Sequence, residues 1–404
     1  MACNHNKTMK DSILLVLTRP PYPAVDGTRE RILNEIEDLT KDFDVSIFII
    51  GNENLSAEQE AKLRSLGVKS VTNYRISKIF SYANAAISLF SKKPLQAAYF
   101  WNKQAYRQLE SQCNQFHSIC FHTIRFGEYI NLLKKSSVCQ SKILVFFNDA
   151  ISLNYADASK KARGMWRCIY KIESSRIGNY ETKVLSLVDS ASIVSERDRA
   201  HILSKVGQTN TKDIKVIRHG IDDRLFSYNY LPKTNNLVFI GNLLYPPNRQ
   251  GLERFCLEIL PLITKEKPET KLVIIGRQSK EIFSHNPTCI PMGFVDDPYT
   301  LLAEQAIFIS PADFGAGVPT KSLLAMSIGL PVVSTANNAA GIEGVKENEN
   351  VVFMDYTQPM QSAKKIIELL ENEAMRKMIG LAGKEIVSKL YKRSQNYPLL
   401  KEII

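Results

Sequence analysis

Short, mostly apolar runs alternate with longer amphipathic stretches along this chain, and the alternation is used twice. Runs of this length are too short for buried helices and suit strands covered on both faces. Strand and helix patterns in repeated alternation are the signature of βαβ units and parallel sheets. The first run covers residues 13–17, a Pro/Gly-rich loop follows over 19–27, and a helix pattern covers 28–40. Further strands are expected at 45–50, 118–121, 143–147 and 191–194, with a long basic helical stretch over about 160–186. Ser195, followed by Glu196 and Asp198, reads as an N-cap with an acidic first turn. In the second alternation, strands are expected at 236–241, 271–275, 306–310 and 331–334, and helices at 249–263 and 320–328. The two alternations meet in a polar stretch, 206–233, expected as a linker. The sequence thus predicts an α/β protein with an N-terminal domain over 10–205 and a C-terminal domain over 234–385. A last helix, 386–404, is expected to pack back on the first domain.

A chain of 404 residues is longer than one core usually organises, and two domains of roughly 200 residues agree with the double alternation. A net charge of +11 favours an anionic partner: a phosphate-bearing substrate, an acidic membrane face or nucleic acid. Charge alone does not separate these from a solvated basic surface. The seven cysteines form no CxxC pair, so neither a disulfide framework nor a zinc site is expected, and a reducing, cytoplasmic setting fits. Residues 1–10 are polar and lack an apolar signal core, and no run of about 20 apolar residues suggests a membrane span.

The most informative local pattern is the stretch Ser310, Pro311, Ala312, Asp313, Phe314, Gly315, Ala316, Gly317, Val318, Pro319, Thr320, Lys321, between an expected strand and an expected helix. Glycines let backbone approach a ligand, and the helix N-terminus offers N–H groups and a positive dipole. Lys321, in the first turn, is unfavourably placed unless it meets an anion. A diphosphate cradle and an ordinary strand-to-helix turn fit this pattern equally well.

From Gly315 to Val333 the residues resemble the donor-site signature of glycosyltransferase family 4, and more narrowly a bacterial polysaccharide branch reading G-x-G-x-x-x-K-x-L-E-A-M-x-x-G-x-P-V-V. Other landmarks agree in order: the run from Val216 to Asp222 with V-I-x-N-G-V-D, Phe239 to Leu243 with F-x-G-R/S-L, and Tyr245 to Asn248 with Y-x-P-N. Val273 to Gly276 is similar to the V-x-G strand, and Met292 to Val295 to the G-F-V turn. In the first half, Pro20 to Pro23 with Gly27, Thr28 and Arg29 resemble the first loop, and Phe147 to Tyr155 resemble D-x-x-D-x-x-S-L-x-Y.

The resemblance implies two Rossmann-like domains facing a cleft, the glycosyltransferase B fold. It implies a retaining, metal-independent enzyme with a nucleotide-sugar co-substrate, UDP- or GDP-linked, and no further cofactor. By that resemblance Gly315, Ala316, Gly317 and Val318 give backbone N–H groups to the sugar or phosphate, beside Thr320, and Lys321 neutralises the diphosphate. Phe294 and Val295 hold the base through their backbone, and Gly27 brings the first loop near the phosphate. The family's two glutamates in E-x7-E are absent: Ala316 and Leu324 stand in their places. Its common arginine after the strand glycine is Asn242, with Arg249 seven residues on as a substitute.

His122 follows an apolar run at the C-terminal edge of a strand, where ligands of open α/β sheets bind, and the family often has a histidine there contacting the donor sugar. Asp149 follows another strand and either orients an acceptor hydroxyl or caps the next helix. His219 either contacts phosphate or sits in the linker turn. Asp42 and Asp44 form a D-x-D string at the wrong edge of a strand for a ligand, so a turn is expected and no metal. Residues 79–90 are apolar and run into Lys92 and Lys93, with Lys160, Lys161, Arg163, Arg167 and Lys171 as basic neighbours. That segment fits either docking on the anionic inner-membrane surface or burial in the first core.

The expected function is sugar transfer to a bacterial surface polysaccharide or a lipid-linked glycan. A degenerate relative that binds a partner without turnover is the alternative, favoured by Ala316 and Leu324 and opposed by Lys321. A nucleic-acid-binding role rests on charge alone, with no recognition module. A dinucleotide oxidoreductase lacks G-x-G-x-x-G after the first strand, where Thr18, Arg19 and Pro20 stand.

Overall fold

A computed structural model describes residues 10–24, 26–206, 212–313 and 317–404. It divides into two units: Met1–Ile217 with Tyr397–Ile404, and Arg218–Asn396.

The first unit is built on β1 (Ser12–Leu17), β2 (Asp44–Gly51), β3 (Ser70–Arg75), β4 (Ser118–His122), β5 (Lys142–Phe146), β6 (Ser190–Ile193) and β7 (Lys215–Val216). All pair in parallel in the order β3-β2-β1-β4-β5-β6-β7. The buried runs of β1, β2, β4 and β5 are apolar on both faces because helices cover both sides. Ile13, Leu15 and Leu17 of β1 pack with Ile32, Ile36 and Leu39 of the Gly27–Asp42 helix, and Leu14 and Val16 face the opposite core with Phe121 and Val145.

The second unit carries β8 (Leu237–Ile240), β9 (Leu272–Ile275), β10 (Cys289–Gly293), β11 (Ile307–Ser310), β12 (Val332–Thr335) and β13 (Val352–Met354), parallel in the order β10-β9-β8-β11-β12-β13. Both sheets therefore change direction of strand addition beside their first strand, between β1 and β4 and between β8 and β11. Ligands of open α/β sheets bind at the carboxyl ends of the strands flanking such a switch point.

The stretch 206–233 is not a bare spacer among its described residues: Lys215–Val216 is the edge strand of the first sheet, and Leu225 is buried in the second unit. The chain returns to the first unit over Tyr397–Ile404. There Leu400, Ile403 and Ile404 are buried, Ser118 Oγ donates to the Ile404 carbonyl at 3.0 Å, and Lys142 Nζ donates to that of Ile403 at 3.0 Å. Asp42 belongs to the same anchor: it accepts from Tyr397 at 2.6 Å and pairs with Lys401 at 3.1 Å, while Asp44 pairs with Lys69 at 3.4 Å. Of the D-x-D string, Asp42 thus fastens the C-terminal tail at the entry edge of the sheet, and Asp44 ties to Lys69. No helix among the described residues is long and apolar enough to cross a membrane.

Candidate active site

In the second unit the switch point is framed by Gly241, after β8, and by the loop after β11. A Cβ on Gly276, after β9, would stand 1.9 Å from the Gly241 carbonyl oxygen, so only glycine lets the two chains approach this closely. Gly241 presents its bare Cα to a side chain from the other wall: an added methyl there would lie 3.0 Å from Lys321 Cε and 3.1 Å from Asn248 Nδ2. Lys321 thus reaches across the switch point from the first turn of the Thr320–Ile328 helix. That helix has no side-chain cap at its N-terminus, where Pro319 is the N-cap residue.

The first half of the loop is fixed from below. Tyr356 donates to the Pro311 carbonyl at 2.8 Å, Thr335 to that of Ala312 at 2.6 Å, and Asn337 to that of Asp313 at 2.9 Å. Ser322 and Asn338 both donate to the Ser310 hydroxyl. Gly317 is exposed at φ 87°, and Val318 packs against the core beneath. Gly315 and Ala316 lie outside the described residues. Thr320 opens the helix, its hydroxyl 3.5 Å from the Val318 carbonyl. Leu324, at the position of the family's second glutamate, packs against the apolar cluster.

The remaining expected donor residues divide. Asn242 accepts from the Leu244 N–H at 3.0 Å and its carbonyl accepts from Asn248 at 3.0 Å, so it shapes the turn after β8. Arg249 turns along its own helix to Glu253 at 2.8 Å, exposed. Phe294 is largely exposed just after β10, with the Arg277 guanidinium 5.6 Å from its ring centroid in a cation–π contact. Val295 packs inward. His219 is buried beside Arg218, which holds Glu343 at 2.6 Å.

In the first unit the switch point lies between β1 and β4. Asp26, the N-cap of the Gly27–Asp42 helix, accepts from the Arg29 N–H at 3.0 Å and pairs with Arg19 at 2.9 Å, so Gly27 begins that helix beside two guanidinium groups. His122 ends β4, buried, edge-on to Phe146 at 4.8 Å. Neither ring nitrogen has a hydrogen-bond partner among the described residues, nor does Glu35 Oε2, 3.6 Å from His122 Nε2. Burial first, and Arg31 after it, push the imidazole down to about 4 against the opposing pull of Glu35, so the ring is neutral near pH 7.

Arg31 and Glu35 were not singled out in the sequence. Arg31 donates to Glu35 at 2.7 Å and to Asn148 at 3.0 Å, linking the helix to the end of β5. Their signal was available: two charged residues four apart within the apolar stripe Ile32, Ile36, Leu39. Asp149 does not cap the next helix, whose N-cap residue, Ala150, makes no side-chain cap bond. Desolvation, reinforced by Asp198, raises its carboxyl to about 6, against Arg31 and Arg125.

Two parallel Rossmann-like sheets, with a lysine over a glycine at the second switch point and an orphaned histidine at the first, make up the GT-B fold. Residues 234–372, within the second unit, match the family described as glycosyl transferases group 1. Over 395 residues the chain is 26% identical to a 44.6 kDa protein in the cps region of Klebsiella pneumoniae, covering 94% of this chain and 96% of the other. It is 21% identical over 204 residues to the capsular polysaccharide biosynthesis glycosyltransferase CapM of Staphylococcus aureus, covering 48% of this chain and 53% of that one. Anabaena Alr3699/HepE, solved with UDP and glucose, superposes with a TM-score of 0.62 at 12% identity, over 97% of this chain and 98% of its own.

Proposed function

We propose that this glycosyltransferase moves a sugar from a UDP- or GDP-sugar to a bacterial surface polysaccharide or its lipid-linked precursor. It does so with retention, without a divalent metal, at the cytoplasmic face of the inner membrane. The observation that carries the donor assignment is Lys321 lying over Gly241 at the switch point, in the first turn of an uncapped helix. An ammonium ion and the positive end of a helix dipole converge where a departing nucleoside diphosphate gathers charge. On this reading the neutral His122 contacts the donor sugar and Asp149 orients the acceptor hydroxyl. The polysaccharide assignment is supported by the two bacterial relatives, one in a cps region and one a capsular glycosyltransferase.

The test is a thermal-shift screen with UDP-, GDP-, CMP- and dTDP-sugars in EDTA, followed by a release assay with the best binder. A ligand at a hundred times its Kd stabilises by about 2.7 kcal/mol, so one diphosphate class should stand out. Turnover should persist in EDTA; a complete loss restored by manganese or magnesium would refute metal independence. A clear thermal shift with no release from any donor would favour the second reading, a binding protein without turnover, for which Ala316 and Leu324 in place of glutamates speak.

A further inference from the structure

The helix Lys78–Ser88 is amphipathic in the inverted sense. Its inward side is small and polar: Ser81 is fully buried and accepts from Asn52 Nδ2 at 3.1 Å, Ser88 is buried, and Asn84 donates to the Trp101 carbonyl at 2.9 Å. Its outward side and the turn after it carry Ile79, Phe80, Tyr82, Ile87, Leu89 and Phe90, with Ile79 80% and Phe90 95% exposed. The core-burial reading of this segment therefore fails. A soluble surface helix has the opposite arrangement, and a contiguous exposed apolar patch marks an interface.

A second element extends the patch. Arg176 Nη2 donates to the Leu89 carbonyl at 2.9 Å, and the Leu95 N–H donates to Glu173 at 2.8 Å, joining this turn to the helix Gly164–Leu187. Within about 12 Å along that helix, at 1.5 Å per residue, Met165, Trp166 and Ile172 are also exposed. Positive charge predominates: no Asp or Glu occurs between Glu60 and Glu110, nor between Asp157 and Glu173, while Lys78, Lys92, Arg163, Arg167 and Lys171 are exposed, and Glu128 pairs with Lys93 at 3.1 Å.

We propose that these two helices form one docking surface for an anionic lipid bilayer. Phe and Ile enter the headgroup boundary, Trp166 and Tyr82 lie at the interface, and the flanking Lys and Arg meet lipid phosphates. Predominantly positive charge around the apolar centre favours an anionic bilayer over a protein surface of mixed charge. The surface also adjoins a small pocket lined by Pro94, Ile124, Arg125, Ile151 and Tyr180, next to the β4 and β5 edge that carries His122 and Asp149. A membrane-held acceptor would reach the edge from this side. The inference rests on the proposed lipid-linked acceptor.

The test is flotation of the full-length protein with vesicles of phosphatidylglycerol and phosphatidylcholine, against phosphatidylcholine alone. Wild type should float with the anionic vesicles and be partly released at about 1 M salt, where the screening length falls to about 3 Å. Phe80→Ser with Ile87→Ser and Phe90→Ser should cut recovery by about tenfold or more, with an unchanged melting temperature because these side chains are exposed. Lys92→Glu with Arg167→Glu should weaken recovery at low salt. The proposal is overturned if the triple variant floats like wild type, if wild type floats equally with both vesicles, or if wild type binds neither. It is also overturned if the triple substitution abolishes a dimer in sedimentation, which would make a second copy the occupant. Nucleotide release without vesicles, measured in parallel, tests the enzymatic reading separately, since flotation requires no turnover.

Discussion

Lys321 is a cation at the positive end of a helix dipole, and such a placement is stabilised only by an anion. If that anion is the donor diphosphate, the contact strengthens as the leaving group gains charge. Lys321→Ala should then lower kcat/KM by on the order of 10²-fold, about 3 kcal/mol, with little change in stability. Lys321→Arg should recover part of the loss, because a planar fork does not reproduce a compact ammonium. Wild-type transfer rates in a folded Lys321→Ala protein would remove the donor assignment. Asp149 gives a prediction with opposite signs for stability and activity. Burial raises its carboxyl from 3.8 to about 6, so its contribution to stability is complete below 3.8 and lost as pH rises through 6. Asp149→Asn should raise the melting temperature at pH 7 by a few degrees and leave it unchanged near pH 3. If the carboxylate receives the acceptor hydroxyl, wild-type kcat/KM falls as pH drops through about 6, and the variant is slow with that limb missing. A pH-rate profile and melting curves on the two proteins decide it. Lys321 stood out in the sequence because its neighbours form a motif. The Arg31–Glu35 pair was not, because its meaning comes from Asn148 and His122, far away in sequence.

Elements with uninterrupted apolar runs, such as β1, β2, β9 and β11, were legible because burial on both faces leaves no room for polar residues. β3, the polar edge strand Ser70–Arg75, and β13, three residues long, were not: a half-exposed edge carries no apolar run, and three residues carry no period. The Lys78–Ser88 helix shows the reverse problem, since apolar content alone does not say which side faces inward. The close approach of β8 and β9 at their carboxyl ends yields an element-scale prediction. At Gly276, φ is 144° and a methyl would meet the Gly241 carbonyl at 1.9 Å, so the backbone must shift. Gly276→Ala should cost about 2–4 kcal/mol and weaken donor binding, measured by denaturant unfolding and nucleotide titration. Unchanged unfolding would mean that the two strand ends are further apart than described.

The double alternation predicted two parallel sheets, but strand order is a property of crossovers and packing rather than of local pattern. The position of the switch points, and hence the placing of His122 and Lys321 at them, came only with the fold. The returning tail is a whole-molecule feature too. Leu400, Ile403 and Ile404 join the core of Ile13, Ile36 and Ile217. Removing residues 397–404 should destabilise the first unit by up to about 5 kcal/mol, an upper bound from apolar burial. The loss should appear as a lower melting transition for that unit, with the second unit's transition unchanged; a single unaltered transition would refute it. The same tail sets an order of events during synthesis. The first unit begins to emerge earliest, yet the side chains that close its core are the last of these residues to be translated, after the whole second unit. The second unit can therefore complete its core first, and the N-terminal sheet waits, partly open, for eight residues made some 180 positions later.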